Sequence, residues 1–236
     1  MTPRKAVILA AGKGTRLLPL TAQTPKVMLP VQGRPLLEHH IRALASHGVQ
    51  EIFINLHAHP ARIRDYFGNG SSFGLKISYC EEPTLSGTAG ALNGFRSSLT
   101  EPFLVQYGDV FSLLNVQALS AFHARCKAAA TLVVHVSSHP EDSDIVVFAP
   151  GGRIKALLHK PGPGSQERFG NAGFYLLTPR VLDYVPRHEE SDFVRDVFPR
   201  MLDDGAPLYA YETSDLLLDM GTPKRYRALM RRLGDS

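Results

Sequence analysis

The sequence predicts a doubly wound α/β fold on a mixed, mostly parallel sheet, and three observations predict it. Short apolar runs alternate with helix-period segments through the first half of the chain. A glycine-rich stretch follows the first apolar run directly. After residue 130 the rhythm changes to strand upon strand with little helix between, which adds antiparallel strands to the sheet or builds a small subdomain beside it.

Residues 5–11 (KAVILAA) form a short apolar run bounded by Gly12 and read as a fully buried strand. In 35–47, Pro35 suits the first helical position, Leu36, Leu37, His40, Ile41 and Leu44 recur at helical spacing, and Gly48 stops the helix. EIFINL (51–56) reads as a strand, 60–67 as a short helix and LKISYC (75–80) as another strand. A helix from about Thr88 to Leu99 leads into the strand PFLVQY (102–107). Beyond residue 130, ATLVVHVSS, SDIVVFAP, GRIKALLHK and NAGFYLL read as strands. Helices near 178–185, 192–203 and 222–232 finish the chain, with no internal repeat. PGPGSQERFG (161–170) reads as a flexible loop beside a pocket. The whole, 1–236, reads as one domain, with parts of about 1–130 and 131–236.

The 236 residues suffice for a full core, and 44% hydrophobic with 20% charged residues is ordinary for a globular protein. A net charge of +4 would attract phosphorylated small molecules but falls short of a nucleic-acid binder's footprint. Cys80 and Cys126 are too few for a disulfide framework, so a reducing cytoplasm is the expected location. Lys13 and Arg16 stand where a signal-peptide cleavage site would lie, and no apolar stretch approaches a membrane span.

The loop LAAGKGTRLLPLTAQTPK (9–26) resembles two phosphate motifs and matches neither. A P-loop requires glycine where Val7 stands, and a dinucleotide fingerprint requires one where Leu17 stands. What remains is physical. Ala10, Ala11, Gly12 and Gly14 offer backbone N–H groups unshielded by bulky side chains, an anion-binding concavity at a strand end. Thr15 continues the loop, Arg16 can fork onto phosphate oxygens, and Lys26 can act as a mobile point charge. By spacing alone this barely exceeds a solvated basic loop.

The stretch AVILAAGKGTRLLPLTAQTPKVMLPVQGRPLLEH closely resembles the signature of the sugar-1-phosphate nucleotidyltransferases. The resemblance continues in order through GTAGAL (87–92), YGD (107–109), NAGFYLLTP (171–179), DVFPRML (196–202) and LDMGTPKRY (218–226). The opening motif is specific; the later ones persuade jointly. The pattern is most similar to short mannose-1-phosphate and heptose-1-phosphate guanylyltransferases, with short N-acetylmuramate-1-phosphate uridylyltransferases also similar. The resemblance implies a Rossmann-like nucleotide-binding part followed by a sugar-binding part that includes the antiparallel strands. It also implies a nucleoside triphosphate and a sugar-1-phosphate as partners, with no nucleic acid or membrane involved. The chain ends soon after the last motif, so no acyltransferase domain is expected.

Asp109 and Asp219 each follow an apolar run, at expected strand ends where α/β sheets bind ligands. Either alone reads as a helix cap; both match the family's Mg²⁺-binding aspartates, and magnesium needs only one or two carboxylates besides phosphate oxygens. A phosphate monoester has its second pKa at about 6, so the acceptor is already anionic and needs no general base. Positioning and electrostatics carry such chemistry. The resemblance assigns Arg16 to the triphosphate and departing pyrophosphate, Lys26 to the reacting phosphates and Lys160 to the sugar phosphate.

By the same resemblance Glu82 accepts hydrogen bonds from the base edge, and Gly87, followed by Thr88, contacts the base through its backbone. A carboxylate accepts two parallel donors, which guanine offers and uracil does not, so GTP is favoured. UTP or dTTP with another sugar phosphate is the alternative. Asn171 matches a hydroxyl-binding asparagine. The sugar side departs from the pattern twice: His159 precedes Lys160 where the family has glutamate, and Ser143-Asp144 replaces Tyr-Gly. An altered acceptor, such as a heptose or cyclitol phosphate, and drift around a mannose pocket explain this equally well.

His57 and His59 read as loop or helix-start residues, and His39 and His40 as helix residues without function, one exposed and one partly covered. The basic tail RYRALMRR reads as a solvated helix face that leaves room for a homodimer contact. A non-catalytic nucleotide-sugar sensor is the rival reading; a glycosyltransferase is disfavoured because Asp109-Val110-Phe111 lacks the Asp-x-Asp pattern.

Overall fold

The computed structural model describes residues 2–137, 140–162 and 167–234. Its chain begins with strand β1 (Lys5–Leu9), a short hairpin of β2 (Pro30–Val31) and β3 (Arg34–Pro35), and helix α1 (Leu36–Ser46). Then come β4 (Glu51–Leu56), α2 (Pro60–Phe67), β5 (Lys76–Glu81), α3 (Gly87–Gly90), β6 (Phe103–Tyr107) and β7 (Val110–Ser112). After α4 (Val116–Cys126) follow β8 (Ala130–Val136), β9 (Ile145–Phe148), β10 (Ile154–Leu158) and β11 (Phe169–Leu177). The chain closes with α5 (Phe198–Asp203), β12 (Leu208–Glu212), β13 (Leu217–Asp219) and α6 (Pro223–Arg232).

These elements form two compact units that alternate along the sequence. One comprises Thr2–Leu85, Gln106–Leu114 and Asp215–Ser236; the other comprises Ser86–Val105 and Asn115–Ser214. The first is called here the loop unit because it carries the glycine-rich loop, and the second the strand unit.

In the loop unit β1, β4 and β5 run parallel, with Leu9 opposite Asn55 and Asn55 opposite Cys80. Ala6, Val7 and Ile8 are fully buried, as the unbroken apolar run requires of a strand covered on both faces. Helix α1 buries Leu36, Leu37, His40, Ile41 and Leu44, the residues spaced for it, although Pro35 stands one position outside as the cap. Strands β7 and β13 pair antiparallel, and against them a second cluster gathers Leu17, Leu29, Phe111, Met220 and Leu229. Tyr226 and Met230 pack on it, and the Tyr226 hydroxyl donates to the Pro30 carbonyl at 2.5 Å. One face of the C-terminal helix is therefore docked, while Arg227, Arg231 and Arg232 stay exposed on the solvated face that the sequence suggested.

In the strand unit β8 lies between β11, antiparallel, and β12, parallel, while β9 pairs antiparallel with β10 and β11. Phe193 and Phe198 stack at its centre and Tyr175 meets both edge-on, with ring centroids 5.2 to 5.3 Å apart. The expected helix of 88–99 is one α turn, α3, prolonged as a 3-10 helix over Ala91–Ser98. Gly90 and Gly94 explain the weakness of the α form there. The helix expected over 192–203 opens with a wide π turn, Phe193–Val197, ahead of Pro199, which supplies no N–H for a continuous α ladder. Helix α4 and strand β12 were not anticipated; α4 carries polar residues among its apolar ones, and β12 (LYAYE) is short. Of the loop expected at 161–170, residues 163–166 lie outside the described ones. The fold is mixed α/β, a central parallel sheet with antiparallel strands added.

Candidate active site

The loop after β1 folds on itself before it presents anything to a ligand. Gly14 takes a left-handed conformation, φ +65°, which a β-carbon would strain. Its carbonyl accepts the Leu17 N–H at 2.9 Å and the Thr21 hydroxyl at 2.8 Å. That turn starts a 3-10 segment, Thr15–Leu17, which sinks Leu17 into the core and leaves Thr15 and Arg16 exposed. Ala11 is buried and Gly12 exposed, with open space where a Gly12 side chain would stand. Ala10 differs from expectation. Its N–H points inward and donates to Asn55 Oδ1 at 2.7 Å, so that donor is not offered to an anion.

Four charged groups from four segments meet in this unit. Pro25 introduces a 3-10 turn that buries Lys26 to 8% exposure, and its ammonium pairs with Asp109 Oδ2. Asp109 follows β6 and Gly108, whose N–H donates to the Leu9 carbonyl at 2.9 Å. The Asp109 carbonyl accepts the Met220 N–H at 3.0 Å, which binds the residue after Asp219 to the turn carrying Asp109. Asp219 closes β13; its Oδ1 accepts the Gly221 N–H at 2.5 Å and its Oδ2 pairs with Arg225 on α6. A β-carbon on Gly221 would lie 2.8 Å from Asp219 Oδ1 and 3.3 Å from Arg16 Nη2, so the Arg16 guanidinium and the Asp219 carboxylate share the space over Gly221. Arg16, Lys26, Asp109 and Asp219 thus converge.

Among the described residues no cluster of three or more His, Cys, Asp and Glu forms a closed metal cage. Two partly exposed carboxylates with two cations nearby suit Mg²⁺, which completes its shell with water and phosphate oxygens. They do not suit zinc, which takes histidine and cysteine in a closed tetrahedron.

Behind Asp109 lies a residue read from sequence as idle. His40 is 1% exposed, its Nε2 bonds the Gly108 carbonyl at 3.1 Å and its Nδ1 the Gln106 amide at 2.8 Å. Because an amide nitrogen only donates, Nδ1 must accept and Nε2–H must donate. Burial pushes the pKa down to about 4, and nearby His39 adds to the depression, against the Gly108 bond and the Asp109 charge, which raise it. His40 is neutral at pH 7 and props the turn from beneath.

Glu82 lies just beyond β5 and is gripped three times. Its N–H donates to the Leu56 carbonyl at 2.8 Å, its carbonyl accepts from His57 Nδ1 at 2.7 Å, and its Oε1 accepts from Asn55 Nδ2 at 2.8 Å. A solvated loop glutamate has no such scaffold.

The strand unit holds the other expected residues. Gly87, at φ +81°, opens α3 against the Ser191 backbone, and the Ser191 carbonyl accepts the Ala89 and Gly90 N–H groups at 2.9 and 3.0 Å. The Thr88 hydroxyl is committed: it donates to Asp192 Oδ2 at 2.6 Å and accepts the Phe193 N–H at 3.1 Å. Asn171 turns its amide to the Tyr175 hydroxyl at 2.6 Å and its oxygen to the Gly173 N–H at 3.2 Å, a local brace that its expected hydroxyl-binding role did not foresee. His159 Nδ1 meets Asp144 Oδ1 at 2.7 Å, so the two departures from the family pattern touch each other. Lys160 is exposed and held at φ +41°.

Asn55, Arg225 and His40 were missed. Asn55 had one signal, a lone amide within the apolar run Ile52–Leu56; Arg225 had its position in GTPKRY; His40 had none beyond a helical position.

Comparison with known proteins identifies a family and a fold. The family model described as nucleotidyl transferase matches residues 5–236. A mannose-1-phosphate guanylyltransferase of Mycobacterium tuberculosis is 34% identical over 223 residues, 94% of this chain and 62% of that protein. A UTP–glucose-1-phosphate uridylyltransferase of Synechocystis is 31% identical over 242 residues, 96% of this chain and 62% of that protein. The chain therefore spans about three fifths of the length of these relatives. A crystal structure of a putative glucose-1-phosphate thymidylyltransferase from Bacillus anthracis superposes with a TM-score of 0.89 at 23% identity, covering 98% of this chain and 96% of that one. That likeness establishes the Rossmann-like α/β fold.

Proposed function

Because this chain belongs to the nucleotidyl transferase family, we propose that it transfers a nucleoside monophosphate to a sugar-1-phosphate and releases pyrophosphate. The favoured donor is GTP and the acceptor a mannose, heptose or related 1-phosphate. One observation carries this reading: Arg16, Lys26, Asp109 and Asp219, 203 positions apart at their extremes (219 − 16), gather in a single unit. Neither a caps-only reading of the aspartates nor a solvated loop accounts for that convergence.

In the reaction an oxygen of the sugar phosphate attacks the α-phosphorus. The bond from that phosphorus to the α–β bridging oxygen breaks, and its electron pair leaves with pyrophosphate. The attacking oxygen is already anionic at neutral pH, so no residue need remove a proton. Arg16 would hold the β- and γ-phosphates and balance charge on the departing pyrophosphate. Lys26, now on Asp109, would turn to the α-phosphate, a short move for a flexible ammonium. Asp109 and Asp219 would hold magnesium, which when bound supplies positive charge to the phosphate oxygens. Gly108, fixed by Leu9 and His40, keeps the Asp109 turn in place. Lys160 would meet the acceptor phosphate, with His159 and Asp144 on the sugar hydroxyls and the Asn171 brace shaping the strand beneath.

The guanine preference rests on Glu82. A carboxylate held in one orientation rewards a base edge with two adjacent donors. The two relatives divide between guanylyl and uridylyl transfer, so the donor base is what a direct comparison of nucleotides decides. The test is a matrix of GTP, UTP, CTP, ATP and dTTP against sugar-1-phosphates, read by pyrophosphate release. GTP with mannose- or heptose-1-phosphate is expected to be fastest. Absence of pyrophosphate in every cell would overturn the enzyme in favour of a sensor.

A further inference from the structure

Asn55 is the penultimate residue of β4, the middle strand of the parallel set β1–β4–β5, opposite Leu9 on one side and Cys80 on the other. One residue past Leu9 the glycine-rich loop begins with Ala10; two past Cys80 stands Glu82. The Asn55 side chain spans both exits. It is 4% exposed, accepts the Ala10 N–H at 2.7 Å and donates to Glu82 Oε1 at 2.8 Å.

The direction of this amide is dictated by its partners. A backbone N–H can only donate, so Ala10 claims the Asn55 oxygen, and the NH₂ group must face Glu82. Glu82 is meanwhile fixed through its own backbone by Leu56 and His57, and Asn55 Nδ2 holds its carboxylate by Oε1. Aspartate at position 55 would keep the bond from Ala10 but set a second carboxylate against the first. Threonine can accept from one side and donate to the other with a single hydroxyl.

We infer that Asn55 is a specificity-determining positioning residue: it aims the Glu82 carboxylate at the base and ties that aim to the loop that handles the phosphates. The inference rests on the reading of Glu82 as the base acceptor. Its physical content is preorganisation. An acid free to rotate meets guanine or uracil with little preference, whereas one locked by an amide rewards only the matching donors. Bases and phosphates would then be read by one rigid piece of the loop unit.

The experiment compares kcat/KM for GTP and UTP in Asn55→Asp, Asn55→Ala, Asn55→Thr and Glu82→Ala, with thermal unfolding of each variant. The GTP:UTP ratio is expected to fall about tenfold in Asn55→Asp and Asn55→Ala, mainly through the KM for GTP, and to recover in part in Asn55→Thr. An equal loss for both nucleotides in variants that still fold cooperatively would show a merely structural asparagine and overturn the inference. If Glu82→Ala collapses the ratio while the Asn55 variants preserve it, Glu82 reads the base without help and the inference fails alone. If Glu82→Ala leaves the ratio intact, the base reading falls and the inference with it. Should Asn55→Asp fail to fold, Asn55→Thr against Asn55→Ala decides the matter by the same ratio.

Discussion

In the loop unit the charged residues of the site are fastened in place: Lys26 by Asp109 and Glu82 by Asn55, both distant in sequence, and Asp219 by its neighbours Arg225 and Gly221. In the strand unit the corresponding residues are looser. His159 and Asp144 touch only at a partly exposed pair, Lys160 projects into solvent, and Asn171 braces its own strand. The contrast follows from what each part would have to recognise. Triphosphate and departing pyrophosphate are the same in every reaction of this class, so their charges reward fixed, paired groups. An acceptor sugar varies from one enzyme to the next, and its hydroxyls can be met by adjustable side chains at the surface.

The sharpest way to break this contrast is to remove one charge from the loop unit. Arg16→Ala and Asp109→Asn are each expected to lower kcat by about 10²- to 10³-fold, the range measured when one donor to a developing charge is lost. Steady-state pyrophosphate release checks it, with unfolding midpoints to show that the fold survives. Turnover near that of the unaltered enzyme in either variant would remove both the proposed site and the distinction drawn between the units.

A subtler strike leaves every charge in place. Gly221 is not in the left-handed region, so alanine fits its backbone, but its methyl would press on Asp219 Oδ1 and on Arg16 Nη2. Gly221→Ala is expected to cost about tenfold in kcat and to shift the Mg²⁺ dependence, while the melting temperature changes little. If the variant matches the parent in both respects, the crowding over Gly221 is irrelevant to turnover.

How far the sequence disclosed these two units also differs. The parallel strands and α1 were readable because their apolar runs and helical spacing are local signals, and Arg16, Lys26, Asp109 and Asp219 were readable because motif order survives in the chain. What fastens them was not. That Ala10 spends its N–H on Asn55 and that His40 sits beneath Gly108 are facts of long-range packing with no periodicity of their own, and the pairing of Arg225 with Asp219 depends on how the turn between β13 and α6 folds. In the strand unit, the helix expected at 88–99 became α3 with a 3-10 extension and the one expected at 192–203 opened as a π turn, because glycines in the first and Pro199 in the second deflect the ladder, which composition hints at but does not place. The meeting of His159 with Asp144 was invisible for the same reason: each stood out alone, and only the antiparallel pairing of β9 with β10 brings them together.

That pairing allows the smallest effect to be the most discriminating. Asp144 precedes β9 and His159 follows β10, so a single register places both at one end of the two strands. If the pair meets the acceptor's hydroxyls, His159→Gln should raise the KM for the sugar phosphate roughly three- to tenfold and leave the nucleotide KM unchanged, the size expected for one exposed polar contact. Asp144→Asn should do the same. Because the two residues act through one contact, the double variant should be little worse than either single one, a coupling that a double-mutant cycle measures directly. Additive losses would mean two independent contacts. An effect on the nucleotide KM would mean that these residues serve the donor, and the division of labour between a fastened phosphate side and an adjustable acceptor side would have to be abandoned.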